Sequence, residues 1–282
     1  MLPIKKLYID TKYKTADSNS NADFKIQLPQ TLLMPDNAVF YVNECCIPHS
    51  WYTVETGIND KFYFHVSDPV FTSVNNNYIV TLESKNYTGA DLATELQTKM
   101  NHAIGQQSNA FTVTYNAAKH TISIQTAHSN IIFKILTTND IATKRNGQWV
   151  SPDYDANSPH DITSLLNLSE GTSPYYSQST PFSTNISLQP VRNIYISSPN
   201  LGNFNTLSIN GDTSIIKKVQ VTADYNQMIF DNLMATNDFL DCSKQTLKTL
   251  EFQIKDIDGN FINFHGHDVS WSIIFDLMNT NS

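Results

Sequence analysis

The chain has 282 residues, 40% of them hydrophobic and 11% aromatic, which is enough to bury the core of one large domain or of two ordinary ones. Only 16% of the residues are charged and the net charge is −8, which argues against a protein whose main partner is nucleic acid, because phosphate binding needs clustered lysine and arginine. No apolar run approaches membrane-spanning length, and the three cysteines form neither a disulfide framework nor a zinc motif. We therefore expect a soluble protein made in a reducing compartment.

The N-terminus concentrates positive charge, with Lys5, Lys6, Lys12 and Lys14 within its first 14 residues. A block of like charge is typical of an exposed tail. We therefore predict that residues 1–22 form a mobile, solubilising arm. A contact of this arm with an acidic partner or with enclosed nucleic acid stays open as the alternative.

Four strands are predicted in the first part of the chain. In "DFKIQL", Phe24, Ile26 and Leu28 alternate with polar residues, which is the period of a half-buried strand. Pro29 is predicted to end this strand. The four predicted strands are 23–28, 38–47, 61–66 and 77–83.

The block that follows has a mixed character. Thr88 and Asp91 have the spacing of a capping box, and Leu92, Leu96, Met100 and Ile104 then recur every four residues, which predicts a helix that ends near Gly105. A β-hairpin is predicted over 110–116 and 120–126, and a further strand over 131–137. Residues 138–189 are rich in proline, serine, asparagine and glycine, and are predicted to form long loops.

Strands return in the last third of the chain, and the alternation is clearest in "LEFQIKD" and "VSWSIIF". Many short strands with turn signals between them indicate an antiparallel sandwich or barrel, into which the mid-chain block is inserted. The five predicted strands are 192–198, 214–221, 225–230, 247–256 and 269–277.

The stretch "KDIDGNFINFHGHDVSWSIIF" is the one candidate for chemistry. His265 and His267 would share a face of a strand and could ligate a metal with Asp268, but no third ligand stands at a diagnostic spacing. Asp258 and Gly259 are better explained as the tip of a hairpin, because Gly259 supplies the positive φ that a tight turn needs. No nucleophile, phosphate-binding or zinc-hydrolase motif is present, so we expect no enzyme, no catalytic residues, no cofactor and no metal, with His265 and His267 as weak metal candidates only.

Three passages, taken in order, resemble one family. They are the opening "LYIDTKYK…DFKIQLP…IPHSWYTV", the strand and capped helix of "LESKNYTGADLATELQTKMN", and the closing "LEFQIKDIDGNFINFHGHDVSWSIIF". Together they are similar to the penton (minor capsid) proteins of virophages and polinton-like viruses. The resemblance covers both ends and the helix, and leaves 138–189 unmatched.

The resemblance implies an all-β fold, a single jelly-roll β-sandwich with an inserted mixed domain of a helix and a β-hairpin. The jelly roll is then expected over 1–83 and 190–282, and the insertion over 84–189, between strands D and E and facing outward. The implied function is a non-enzymatic capsid protein that forms a homopentamer at the vertices of an icosahedral double-stranded DNA virus or virophage. Neighbouring major capsid proteins would be its partners, the insertion could contact a host receptor, and assembly would take place inside the host cell.

Two alternatives remain. Aromatic residues in polar loops can stack on sugars, so Trp149, Tyr154, Tyr175 and Tyr176 favour a receptor-binding or carbohydrate-binding attachment protein. The pair His265 and His267 on a jelly roll would suit an enzyme of the cupin type.

Overall fold

The computed structural model describes residues 1–67, 75–105, 110–142, 148–149, 160–168, 173–202, 206–208, 211–232 and 238–278. Its strands are β1 Lys6–Asp10, β2 Asp23–Leu33, β3 Ala38–Pro48, β4 Lys61–Ser67, β5 Asn75–Thr81, β6 Phe111–Asn116, β7 Thr121–Thr126, β8 Ile132–Ile135, β9 Gln148–Trp149, β10 Phe182–Asn185, β11 Asn193–Ser197, β12 Ile215–Gln220, β13 Met228–Asp231, β14 Leu240–Asp241, β15 Thr246–Lys255 and β16 Ser270–Leu277. Its helices are α1 Gly89–Ala103 and α2 Thr138–Ala142, with a short 3-10 helix at Thr11–Tyr13.

The chain divides into two compact units. The jelly-roll unit comprises residues 1–51 and 191–282, and the inserted unit comprises residues 52–190. The expected boundary at residue 84 is therefore wrong. The strands predicted at 61–66 and 77–83 become β4 and β5, which pair with each other and with β8 and β9 inside the inserted unit.

The jelly-roll unit contains the two sheets of a jelly roll. One sheet has the order β1-β16-β3-β13, with β14 also paired to β3, and the other has the order β2-β15-β11-β12. Lettered B to I along the chain, with β13 and β14 together as G, these orders are B-I-D-G and C-H-E-F, the two sheets of a single jelly roll. The inserted unit leaves after β3 (D) and returns before β11 (E), so the all-β jelly roll is as predicted. The insertion still falls between strands lettered D and E, but D is a different strand from the predicted one, because β1 adds strand B and the strand predicted at 61–66 lies in the inserted unit.

The prediction of a mobile N-terminal arm is wrong. Residues 6–10 form β1, which is strand B and pairs antiparallel with β16 from Lys6↔Ile274 to Asp10↔Ser270. The side chain of Ile9 is buried in the core. Its partner strand is more than 250 residues away, and a pairing of such long range cannot be seen in the local sequence.

The core of the jelly-roll unit lies between its two sheets. Phe24 of β2 and Phe252 of β15 contribute from the CHEF sheet, and Trp271 of β16 contributes from the BIDG sheet. The three rings lie 5.1–5.7 Å apart, two of the three pairs edge to face, an arrangement that aromatic pairs favour. The period-two patterns read from the sequence are thus the inward faces of the two sheets.

Pro29 does not end strand C as predicted. β2 continues through it to Leu33, because the pairing with β15 shifts register between Leu247 and Thr249 and leaves the proline in the irregular stretch. β2 is also an edge strand, where a missing N–H costs no ladder hydrogen bond.

The described part of the inserted unit combines two sheets, the long helix α1 and the short helix α2. The sheets have the orders β10-β7-β6 and β8-β4-β5-β9, and α1 packs against β6 and β5. The capping box is confirmed, since Thr88 Oγ1 accepts from the Asp91 N–H and the Asp91 carboxylate accepts from the Thr88 N–H. Leu92, Leu96 and Met100 are buried as the stripe predicted.

The predicted loop block 138–189 contains more regular structure than expected, namely α2, β9 and β10. Of the four aromatic residues that favoured sugar binding, Tyr154 lies outside the described residues, and Trp149 is described by its backbone only. Tyr175 is exposed, whereas Tyr176 is partly buried and packs on Phe133 and Phe182. Tyr176 is therefore a packing residue.

Candidate assembly surface

The predicted turn at Asp258 and Gly259 is present, but the segment after it forms only an isolated bridge with β15 and no second strand of a hairpin. The Asp256 N–H donates to the Asn260 carbonyl, Gly259 has φ +88°, and Lys255 forms a bridge with Phe261 across the turn. The Asp256 carboxylate accepts from the N–H groups of Asp258 and Asn260, which fixes the turn. Burial, with a smaller contribution from Asp256, raises the pKa of Asp258 above its ordinary value. The first two aspartates of the stretch therefore serve turn geometry.

His265 and His267 do not share a face of a strand, contrary to the prediction. They flank Gly266 in a turn before β16, where His265 has φ +50° and Gly266 has φ +81°, and both side chains are exposed. The His267 N–H closes the turn on the Phe264 carbonyl. Within the described ranges, no group of three or more His, Cys, Asp or Glu side chains is placed to hold a metal ion.

Asp268 instead anchors the N-terminal strand. The Thr11 hydroxyl donates to Asp268 Oδ1 at 2.9 Å and accepts from the Val269 N–H at 2.9 Å, and the Thr11 N–H donates to the Val269 carbonyl at 3.0 Å. Asn21 Nδ2 adds a bond to the His267 carbonyl at 2.7 Å. The stretch that resembled an active site thus forms a set of hydrogen bonds that hold the end of strand B in place. The sequence offered no signal for this role, because the partners lie at the other end of the chain.

The outer face of the BIDG sheet presents large apolar side chains to solvent. Tyr8 of β1 is 71% exposed, and Phe230 of β13 is 72% exposed, with Met228 beside it at 39%. One row across this face runs Asp10, Ser270, Cys46 and Phe230 in register across four strands. An exposed apolar face framed by polar residues is typical of a surface that contacts another protein.

Charges on the outer BIDG face are few and mostly acidic. Lys6 Nζ lies 3.0 Å from Glu44 Oε1, and the Ser272 hydroxyl donates to the same oxygen at 3.0 Å. These hydrogen bonds lower the pKa of Glu44, the one from Lys6 most, and the bond with Glu44 raises the pKa of Lys6. With Asp10, Asp241 and Asp276, the described strands of this face carry one lysine against four carboxylates, a net charge of −3.

The outer face of the CHEF sheet differs in kind. Lys25 Nζ lies 3.6 Å from Glu251 Oε1 on the neighbouring strand, and the Thr249 hydroxyl donates to Gln27 Oε1 at 2.8 Å. Outward charged residues on its described strands are Lys25, Lys218, Lys248, Lys255, Asp23 and Glu251, a net charge of +2. The two faces therefore carry net charges of opposite sign.

The first part of the free edge of β2, at Asp23 and Lys25, is covered by the segment that precedes the strand. The Thr15 N–H donates to the Lys25 carbonyl, and the N–H groups of Asn19 and Ser20 both donate to the Asp23 carbonyl. The Ser18 hydroxyl accepts from the Lys25 N–H at 3.0 Å. The covered part of an edge is not open to pairing with a strand from another chain.

No protein-family model matches the sequence, and no curated protein matches it either. Among solved structures, the crystal structure of the mavirus penton protein matches with a TM-score of 0.54 and 10% sequence identity. The chain has the fold of the mavirus penton protein. The match covers 97% of this chain and 99% of the penton chain, so it extends over both units. The resemblance to penton proteins that three sequence passages indicated is confirmed at the level of the fold.

Proposed function

We propose that the chain is a structural capsid protein that forms the pentameric vertex of an icosahedral double-stranded DNA virus or virophage. The observation that carries the proposal is the match to the mavirus penton protein over 97% of the chain. The two distant ends that resemble penton sequences also form one jelly roll, in which β1 and β16 pair. The proposed role is structural, without catalysis or a cofactor.

The proposed contact between subunits joins unlike faces. The outer BIDG face of one copy, with Tyr8, Phe230 and a net charge of −3, would pack on the outer CHEF face of the next copy, with a net charge of +2. A contact between two different surfaces is head-to-tail, and such contacts close into a ring when the rotation allows it. Five copies in a ring is the arrangement that a vertex requires.

The partners follow from this position in the capsid. Neighbouring major capsid proteins would surround the pentamer in the virion, and the inserted unit would face outward, where it could contact a host surface. Assembly would take place inside the host cell. Among the described residues, no helix has the length and apolar character needed to cross a membrane. Because strand B occupies residues 6–10, the proposal includes no nucleic-acid contact through an N-terminal arm.

Native mass spectrometry of the purified chain tests the proposal. We expect rings of five copies under capsid-like salt and pH, and a protein that stays monomeric across those conditions would contradict it. Phe230→Asp and Tyr8→Asp should each shift the distribution to monomers, because each places a carboxylate in an apolar contact. Tyr175→Asp is the matched control, since Tyr175 is also exposed but belongs to the inserted unit.

A further inference from the structure

The inserted unit carries an open groove that its fold does not fill. The groove has a volume of about 610 Å³, within the size range of small-molecule sites. It lies where the N-terminus of α1 meets the end of the β6–β7 hairpin and the segment after β10. Its lining residues are Thr88, Gly89, Ala90, Tyr115, His120, Ile186, Ser187, Leu188 and Gln189.

The aromatic wall of the groove is held in place before any ligand binds. The Tyr115 hydroxyl and His120 Nδ1 are 3.0 Å apart, and His120 takes this position with φ +51°. Gly89, the first residue of α1, lies directly against the Tyr115 ring, and a methyl group on its Cα would overlap ring atoms. A ring fixed in this way binds a ligand at little conformational cost.

The polar groups of the groove are neutral and available. The lining contains no Asp, Glu, Lys or Arg, although these types make up 16% of the chain. The Ser187 hydroxyl and the Gln189 amide, like the second ring nitrogen of His120, have no hydrogen-bond partner among the described residues. No charged side chain of the lining could pair with a charged ligand, whereas a ligand rich in hydroxyl groups could satisfy these donors and acceptors.

We propose that this groove binds a neutral saccharide. An aromatic ring with neutral hydrogen-bonding side chains around it suits the apolar face and the hydroxyl edge of a sugar ring. The earlier expectation of sugar binding rested on Trp149, Tyr154, Tyr175 and Tyr176, and none of these residues lines the groove. The proposal concerns the inserted unit alone, so it stands or falls separately from the pentameric vertex.

The test uses the full chain and methyl glycosides of glucose, galactose, mannose and N-acetylglucosamine, with saturation-transfer NMR as the readout. An array of neutral and sialylated glycans then extends the set of sugars. We expect transfer to at least one neutral sugar, and binding about tenfold weaker in Tyr115→Ala. Gln189→Ala should weaken binding about threefold, as the loss of one neutral hydrogen bond does.

Two further variants keep the outcome decisive. If Tyr115→Ala fails to fold, His120→Asn replaces it, because asparagine tolerates a positive φ and removes the imidazole. Tyr175→Ala, at an exposed tyrosine outside the groove, is the control and should bind as the parent does. The proposal is overturned if no neutral sugar binds, if only sialylated glycans bind, or if the groove variants bind as tightly as the control. Binding of peptides in place of sugars would assign the groove to a protein partner and would overturn it as well.

Discussion

Thr11→Val tests whether the N-terminus is a strand of the jelly roll or a mobile arm. Thr11 follows β1 and is fully buried, and its hydroxyl both donates to Asp268 and accepts from the Val269 N–H. Valine has nearly the same shape but lacks the hydroxyl. The substitution therefore removes the two hydrogen bonds of the hydroxyl and leaves the side-chain volume in place.

The expected loss follows from the two hydrogen bonds. Val269 is buried, so its N–H loses its acceptor without access to water, which costs about 1–3 kcal/mol. Asp268 is exposed, so water replaces the lost donor there and the additional cost is small. We expect the free energy of unfolding of the jelly-roll unit to fall by about 2 kcal/mol. The matched control, Thr11→Ser, keeps the hydroxyl and should lose only about 1 kcal/mol for the missing methyl group.

Urea unfolding followed by tryptophan fluorescence measures this loss. Trp51 and Trp271 are buried in the jelly-roll unit, and a Trp149→Phe background removes the signal of the inserted unit. The separate signal matters because a chain of two units need not unfold in one step. If both Thr11 variants lie within about 0.5 kcal/mol of the parent, as surface substitutions do, residues 6–11 are not packed and the strand assignment is refuted. If serine costs more than valine, the hydrogen bonds do not carry the stability.

Three further predictions concern the inserted unit and the thiols. Gly89→Ala should destabilise the inserted unit by about 1–3 kcal/mol, because the added methyl group overlaps the Tyr115 ring, although alanine is the better helix former. In a Tyr115→Ala background the same change should stabilise the unit. Urea unfolding monitored by circular dichroism measures the change in the free energy of unfolding in both backgrounds. Burial raises the pKa of Cys45 and of Cys242 to about 12. Iodoacetamide at pH 8 should therefore label only the half-exposed Cys46 in the native monomer, and assembly should slow that labelling. Peptide mass spectrometry measures the extent of labelling at each cysteine. Because these two thiols have folded-state pKa values above the ordinary 9.0, their contribution to stability is full below pH 9 and should be lost as the pH rises toward 12, which urea unfolding across that range measures.

Local sequence carries the information for the elements with strong periodicity. The helix is bounded by the Thr88 and Asp91 capping box, and both the box and the buried stripe are set by residues three and four positions apart. The alternation around Phe252 and Trp271 likewise identifies inward faces, because successive side chains of a strand point to opposite sides. The Asp258-Gly259 turn depends on one backbone conformation that glycine adopts without strain.

These local patterns do not show which distant strands pair with each other. Leu7 and Ile9 do alternate with polar residues in "KLYID", which was a weak strand signal, but the lysines around them favoured an arm. The strands at 61–67 and 75–81 have good strand patterns, and a pattern does not state which sheet a strand joins. The proposed contact faces were equally hidden, because Tyr8, Cys46 and Phe230 become neighbours only through the pairing of β1, β16, β3 and β13.

The sequence by itself determined the all-β class, the one long helix with its cap, the presence of a mid-chain insertion, and the resemblance to penton proteins. Each of these rests on spacing within about twenty residues or on the order of motifs along the chain. Only the tertiary structure decided that the N-terminal lysine segment is strand B, that Asp268 anchors it, and that residues 52–83 belong to the inserted unit. Hydrogen bonds between strands join residues of any separation, so the partner of an edge strand is settled by the fold as a whole.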